Sequence, residues 1–244
     1  HNLYHHILSY KSAGKKMLAL LLDPDKMAPE EVSAWATQLH NTPVTHILVG
    51  GSQTDTRHPE ELVVALKKLT DVPIILFPGH PQQITSKADG LLFLSLLNSQ
   101  NPDYLIGLQT QAAPLVKASG IEVLSTAYIL VDGKSETTVQ QVTQTKPVLQ
   151  NQIEKAAHLA LAAEFLGMQL IYLEAGSGAC EPVPVKMIEK VRKEISTPLI
   201  VGGGMRSTEQ IMEAYKAGAD LVVIGTIFEK NPDFLKTLNQ VLHE

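Results

Sequence analysis

Glycine, hydroxyl and carboxylate residues recur in short clusters, each closing an apolar run. Two late clusters carry the strongest chemical signal, Val201-Gly202-Gly203-Gly204 and Ile224-Gly225-Thr226. Glycine lets the backbone approach an anion closely, and exposed N–H groups then donate to it. Thr226 adds a hydroxyl. One cluster alone reads equally well as a tight turn. Two such clusters near the end of the chain predict a phosphate cradle, which by itself names no reaction.

A third cluster is Tyr172-Leu173-Glu174-Ala175-Gly176-Ser177-Gly178. Strand alternation puts Tyr172 and Glu174 on one face and Leu173 on the other. Turned inward, Glu174 can take a proton from a substrate hydroxyl. The alternative is a buried carboxylate paired with a cation. No lysine or arginine stands at matching depth on the neighbouring runs, which favours the first reading. Gly176, Ser177 and Gly178 make a donor-rich loop.

The first apolar run ends in Leu22-Asp23-Pro24-Asp25-Lys26 and the second in Val49-Gly50-Gly51-Ser52. Asp23 and Ser52 are candidate oxygen ligands for Mg²⁺, which often uses one or two carboxylates plus substrate phosphates. Read separately, Asp23 is a helix cap and Ser52 a turn residue. His80, Arg206 and Lys26 are weaker candidates, each equally a surface or capping residue. Cys180 has no base nearby in sequence and is read as non-catalytic.

These residues need elements to hold them. Apolar runs at 17–23, 45–51, 72–79, 90–96, 122–131, 169–175, 198–204 and 221–226 predict eight strands. Their nearly continuous apolar character suits parallel strands buried on both faces. Amphipathic stretches at 29–40, 59–69, 153–166, 184–195 and 208–217 predict helices between them, with Gly167 and Gly218 where C-caps belong. The pattern predicts a single (β/α)₈ barrel domain over 1–244, with phosphate-binding loops after strands seven and eight. An open doubly wound sheet would carry its glycines in the first βα turn, which here reads Asp23-Pro24-Asp25-Lys26. The polar, Thr- and Gln-rich stretch 132–152 reads as solvated loop, with a lid or an oligomer contact as the alternatives.

The chain of 244 residues suits one such barrel, and no linker composition divides it. A net charge of −5 argues against a nucleic-acid or anionic-membrane surface. The lone Cys180 allows no internal disulfide and fits a reducing compartment, so a cytoplasmic location is expected. No apolar run reaches the roughly 18 residues a membrane span needs, and no signal-peptide pattern opens the sequence. The N-terminal histidines receive no role.

These clusters, with Leu96-Leu97-Asn98-Ser99, together resemble the geranylgeranylglyceryl phosphate synthase family, whose bacterial relatives include heptaprenylglyceryl phosphate synthase. The likeness spans nearly the whole chain, and 172–178 is its most specific segment. It implies a (β/α)₈ barrel that attaches a prenyl chain to sn-glycerol 1-phosphate through an ether bond. It implies that Tyr172, Leu173, Glu174, Ala175, Gly176, Ser177, Gly178, Gly203, Gly204, Gly225 and Thr226 bind glycerol 1-phosphate, with Glu174 catalytic. It implies Mg²⁺ held by Asp23 and Ser52 on the prenyl diphosphate. Leu21 stands where some relatives carry a lysine.

An apolar trench must hold the tail, with Phe77, Phe93, Leu97, Tyr104 and Tyr128 as candidate walls. In the resembling family a bulky aromatic near Tyr104 blocks long tails. Tyr104 as a gate would favour geranylgeranyl diphosphate, while packing against its own helix is the alternative. The expected partners are the two substrates and further copies of the chain in a homo-oligomer. Neither nucleic acid nor a membrane span is expected, and a membrane contact would be peripheral, for product release. The rival functions are a phosphate-barrel lyase or isomerase of amino-acid biosynthesis, and a non-catalytic barrel that binds a phosphorylated metabolite.

Overall fold

The computed structural model describes residues 2–27, 32, 42–51, 59–225 and 234–243. Eight parallel strands close into a barrel in the order β1 to β8. They are β1 Met17–Leu22, β2 Val44–Val49, β3 Ile74–Leu76, β4 Gly90–Leu96, β5 Glu122–Leu130, β6 Leu170–Glu174, β7 Leu199–Gly202 and β8 Leu221–Ile224. Met17 pairs with Leu221 to close the ring.

Alternation along each strand builds two cores. Met17, Leu48, Ile75, Leu92, Leu124, Leu170 and Val223 fill the barrel interior. Leu18, Ile47, Ile171, Leu173 and Val201 turn outward to the helix layer. Burying each such aliphatic side chain stabilises the fold by about 1.5–3 kcal/mol.

The predicted strands overrun at their C-terminal ends. The 198–204 run stops at Gly202 because Gly203 and Gly204 take φ values of +81° and +70°. The 72–79 run shrinks to Ile74–Leu76 before Pro78 and Gly79. These overruns are the loops that form the top of the barrel. Helices Glu60–Lys67, Ile153–Phe165, Val185–Glu194 and Thr208–Ala217 lie where the periodicity predicts them. Pro59 occupies the N-cap of its helix. Gly218 caps Thr208–Ala217 in the left-handed conformation. Of the 29–40 helix only Val32 is described, and it is buried. Among the described residues no helix is long and apolar enough to cross a membrane.

Helix Leu3–Ser12 closes the bottom of the barrel, and His6, given no role from the sequence, has a structural place there. Leu3 and Ile7 join the interior core. The Glu122 carboxylate accepts the Leu3 and Tyr4 amides at 2.6 and 2.9 Å, a favourable charge at a helix start. The His6 ring lies 5.5 Å from that of His46, and burial, then His6, pushes His46 down to about 4.

The 132–152 stretch is more ordered than its composition predicts. It carries helix Thr138–Thr143, opened by a Thr137–Gln140 capping box, and a parallel bridge between Val131 and Val148. Thr137, Thr143 and Thr145 are buried, and the Thr145 hydroxyl donates to Ser99 Oγ at 3.0 Å. Asn98 accepts the Leu130 amide at 2.9 Å and donates to the Lys146 carbonyl at 2.9 Å. Short hydroxyl and amide side chains satisfy the backbone here, which makes a packed segment look like a solvated one.

Candidate active site

Glu174 ends β6, buried, in register with Gly202 on β7 and Leu130 on β5. Its Oε1 accepts the Gly176 amide at 2.7 Å. Burial raises its pKa, while Tyr172 and the Gly176 amide pull it down. The Tyr172 hydroxyl is buried beside it without a well-formed hydrogen bond among the described residues. A β-carbon on Gly203 would overlap Glu174 Oε1 and the Gly176 amide. Gly202 at the end of β7 and Gly203 just after it are therefore needed for the carboxylate to fit.

Gly176 and Gly178 also take positive φ, at +100° and +75°. Among the described residues neither the Gly203 nor the Gly204 amide has a protein acceptor. Bare backbone with unengaged N–H groups beside a buried carboxylate can hold a phosphate and its attached hydroxyls. Leu173 and Ala175 turn their side chains to the outer core, so any contact with a ligand would come through their backbone. Ser177 is exposed at the loop tip. Gly225 follows β8, with a hypothetical β-carbon 3.4 Å from the Leu21 carbonyl. Thr226 lies outside the described residues.

Across the barrel mouth, Asp23 follows β1 and is partly exposed. Its Oδ1 accepts the Asp25 amide at 3.0 Å, and Lys26 Nζ lies 3.9 Å from Oδ2. A β-carbon on Gly51 would sit 3.2 Å from both carboxylate oxygens, so the β1 and β2 ends do meet. Ser52 lies outside the described residues. Among the described residues no group of three His, Cys, Asp or Glu forms a metal cage. A single accessible carboxylate suits Mg²⁺ held largely by a substrate diphosphate and water, so the donor set fits that ion.

Between these two edges opens an apolar cavity of about 130 Å³. Phe77, Phe93, Tyr104 and Tyr128 line it, as the sequence predicts, and Leu97 packs instead against the outer core. Gly51 lines its rim, so the cavity adjoins Asp23. His80 lines it too, with Nδ1 accepting the Gln82 amide at 3.3 Å.

Tyr104 sits in a widened π-type turn, Asp103–Gly107, that leads into helix Leu108–Ser119. Ser95 on β4 donates to the Leu105 carbonyl at 2.7 Å, and Gln109 donates to the carbonyls of Leu94 and Tyr104. These bonds fix the turn against β4. The Tyr104 hydroxyl donates to the Val142 carbonyl at 3.1 Å, tying the cavity wall to helix Thr138–Thr143. Val139 and Val142 line the same cavity, a contribution hidden in the sequence by their polar neighbours.

Two weaker candidates find structural places. The Arg206 guanidinium donates to the Ala179 carbonyl at 2.9 Å. Cys180 is exposed in the loop after β6.

A closed parallel barrel with a glycine cradle and a buried carboxylate at its strand ends defines the phosphate-cradling class of (β/α)₈ barrels. A model of the PcrB family matches residues 11–242, and the chain belongs to that family. A geranylgeranylglyceryl phosphate synthase of Flavobacterium johnsoniae is 48% identical over 232 residues, 95% of this chain and 96% of the relative. One from Thermofilum pendens is 43% identical over 223 residues, 91% of this chain and 86% of the relative. The crystal structure of (S)-3-O-geranylgeranylglyceryl phosphate synthase from Thermoplasma acidophilum, in complex with sn-glycerol-1-phosphate, is similar with a TM-score of 0.92. It is 33% identical and covers 100% of this chain and 98% of its own. A tryptophan synthase α-subunit from Pyrococcus furiosus, at TM-score 0.57 and 14% identity, shares the fold.

Proposed function

We propose that this chain joins a prenyl diphosphate to the 3-hydroxyl of sn-glycerol 1-phosphate, forming an ether and releasing diphosphate, with geranylgeranyl diphosphate favoured. One observation carries the reading: the buried Glu174 carboxylate packs against a glycine cradle and stands above Tyr172, whose ring meets Phe77 and Tyr128 of the aromatic-lined apolar cavity. The names and the bound sn-glycerol-1-phosphate of its relatives support it.

The cradle of Gly203 and Gly204, with the 176–178 loop, would hold the phosphate and orient the glycerol. Glu174 Oε1 is engaged by the Gly176 amide, so Oε2 is the oxygen left to take the hydroxyl proton. A carboxylate whose pKa is raised by burial is a stronger base than an ordinary one. Holding both reactants in one site supplies much of the rate. We assign Mg²⁺ to Asp23 and Ser52, where it would neutralise the leaving diphosphate.

A cytoplasmic homo-oligomer is part of the same proposal. Phe165 and Leu166, 80% and 74% exposed, are suited to a contact between copies.

The test is incubation with labelled glycerol phosphate and prenyl diphosphates of several lengths. An ether product formed from sn-glycerol 1-phosphate in preference to its 3-phosphate enantiomer is expected. Absence of product, or equal rates with both enantiomers, removes the assignment.

A further inference from the structure

We propose that Tyr128 is a catalytic residue of this prenyl transfer. Its ring, with those of Phe77 and Tyr172, forms a floor that stabilises positive charge developing on the allylic carbon. The inference rests on the reading above.

The argument begins with where the chain spends its aromatic residues. They make up only 5% of the sequence, and the buried residues of the barrel interior are mostly aliphatic, as in such barrels generally. Yet three aromatic rings converge at one level. Tyr128 and Tyr172 are register partners on β5 and β6, immediately below the Leu130–Glu174 pair. Phe77 reaches them from the end of β3, on the far side of the ring of strands. The Tyr128 and Tyr172 centroids are 5.3 Å apart at 66°. Phe77 lies 5.7 Å from Tyr172 and 6.0 Å from Tyr128. Tyr172 is fully buried, whereas Phe77 and Tyr128 both line the cavity.

Position decides what these rings can do. The cavity adjoins Asp23 through Gly51 on one side, where the diphosphate would lie. Glu174 stands on the other side, above Tyr172. The carbon that leaves one and joins the other must pass between them, next to Tyr128 and Phe77. In the reaction the allylic C–O bond breaks and its electron pair departs with diphosphate. Positive charge spreads over the allyl unit. The glycerol 3-hydroxyl oxygen donates a pair to form the ether, and its proton passes to Glu174 Oε2 and then to water. The face of an aromatic ring is electron-rich and attracts a cation strongly where water is excluded. Burial, then the Glu174 charge, raises the Tyr128 pKa, so its ring stays a neutral phenol.

The experiment compares Tyr128→Phe, which keeps the ring, with Tyr128→Leu, which removes it. Tyr128→Phe is expected to hold kcat within about threefold. Tyr128→Leu is expected to lose about thirtyfold in kcat with KM for glycerol phosphate unchanged, the equivalent of roughly 2 kcal/mol at 1.36 per tenfold. A second readout is independent of turnover. A prenyl ammonium bearing its charge at the allylic position, bound with inorganic diphosphate, is compared by calorimetry with the uncharged prenyl alcohol.

Wild type should prefer the ammonium, and Tyr128→Leu should lose most of that preference. Phe77→Leu should weaken it too, and serves if Tyr128→Leu does not fold. Retained preference in the leucine variants, or equal losses in Tyr128→Phe and Tyr128→Leu, overturns the proposal while leaving prenyl transfer intact. Wild-type protein that forms no ether removes the underlying reading and this inference with it.

Discussion

Gly202 and Glu174 are register partners that share one volume. A β-carbon on Gly202 would lie 2.8 Å from Glu174 Oε2 and 2.6 Å from the Tyr172 hydroxyl. The end of β7 is bare because the end of β6 occupies the space beside it. Gly202→Ala should therefore displace the carboxylate and cost about 1–3 kcal/mol of stability, as overpacking of a tight interior does. Turnover should fall at least about tenfold, beyond what the lost stability explains. Near wild-type kcat in a folded Gly202→Ala protein would show that Glu174 tolerates displacement.

Glu174 itself makes a signed prediction about pH. Its pKa is raised in the folded protein, chiefly by burial. A raised carboxylate pKa favours the protonated form, so its contribution to stability is present below the unfolded value of about 4.3 and is lost as pH rises through the folded value. Glu174→Gln should accordingly gain thermal stability relative to wild type at pH 7 and not at pH 4. The same shift sets the acid limb of kcat/KM above the ordinary carboxylate range, because the base must be ionised. Glu174→Gln should nearly abolish turnover while the fold survives. A variant that retains turnover would take the base role away from Glu174.

Strand order, the glycine cradle and the inward pair Tyr172 and Glu174 were legible because period-two alternation and glycine placement are local signals. Leu173, one residue on, follows from the same alternation. The cavity was only partly legible. Phe93 and Tyr104 are conspicuous in sequence, but Val139 and Val142 are hidden among Thr and Gln, and their role depends on a capped helix tied to the distant Tyr104. The Phe77–Tyr172 contact joins β3 to β6 across the barrel interior. No local pattern encodes a contact set by barrel closure. The Leu3–Ser12 helix was illegible for a related reason, since its partners Glu122 and His46 lie far along the chain.

Asp23 carries the metal prediction. It is a partly exposed carboxylate beside the cavity rim, and Lys26 is its only cation within 4.0 Å among the described residues. Asp23→Asn keeps the shape and removes the charge. It should raise the Mg²⁺ concentration needed for half-maximal rate and weaken prenyl diphosphate binding, with glycerol phosphate affinity little changed. Titrating Mg²⁺ against rate for both proteins decides it. Superimposable titrations would exclude Asp23 from the metal site.

Tyr104 bears on chain length. Its ring lines the cavity, and its hydroxyl bond to the Val142 carbonyl holds it against helix Thr138–Thr143 rather than against its own helix alone. The turn beneath it is fixed to β4 by Ser95 and Gln109, so the ring cannot simply swing aside with a loose loop. A tail longer than the space it closes must leave methylenes in water, each forfeiting about 0.8 kcal/mol. A C20 chain should then be preferred over C35. Tyr104→Ala removes both ring and tether, and should raise the C35 to C20 ratio of kcat/KM by at least about tenfold. Tyr104→Phe separates the two contributions, because it keeps the ring and loses only the bond to Val142. If the ring blocks the tail, Tyr104→Phe should stay close to wild type in that ratio. If the tether does, Tyr104→Phe should move toward the alanine variant. An unchanged ratio in Tyr104→Ala would mean that the cavity ends elsewhere.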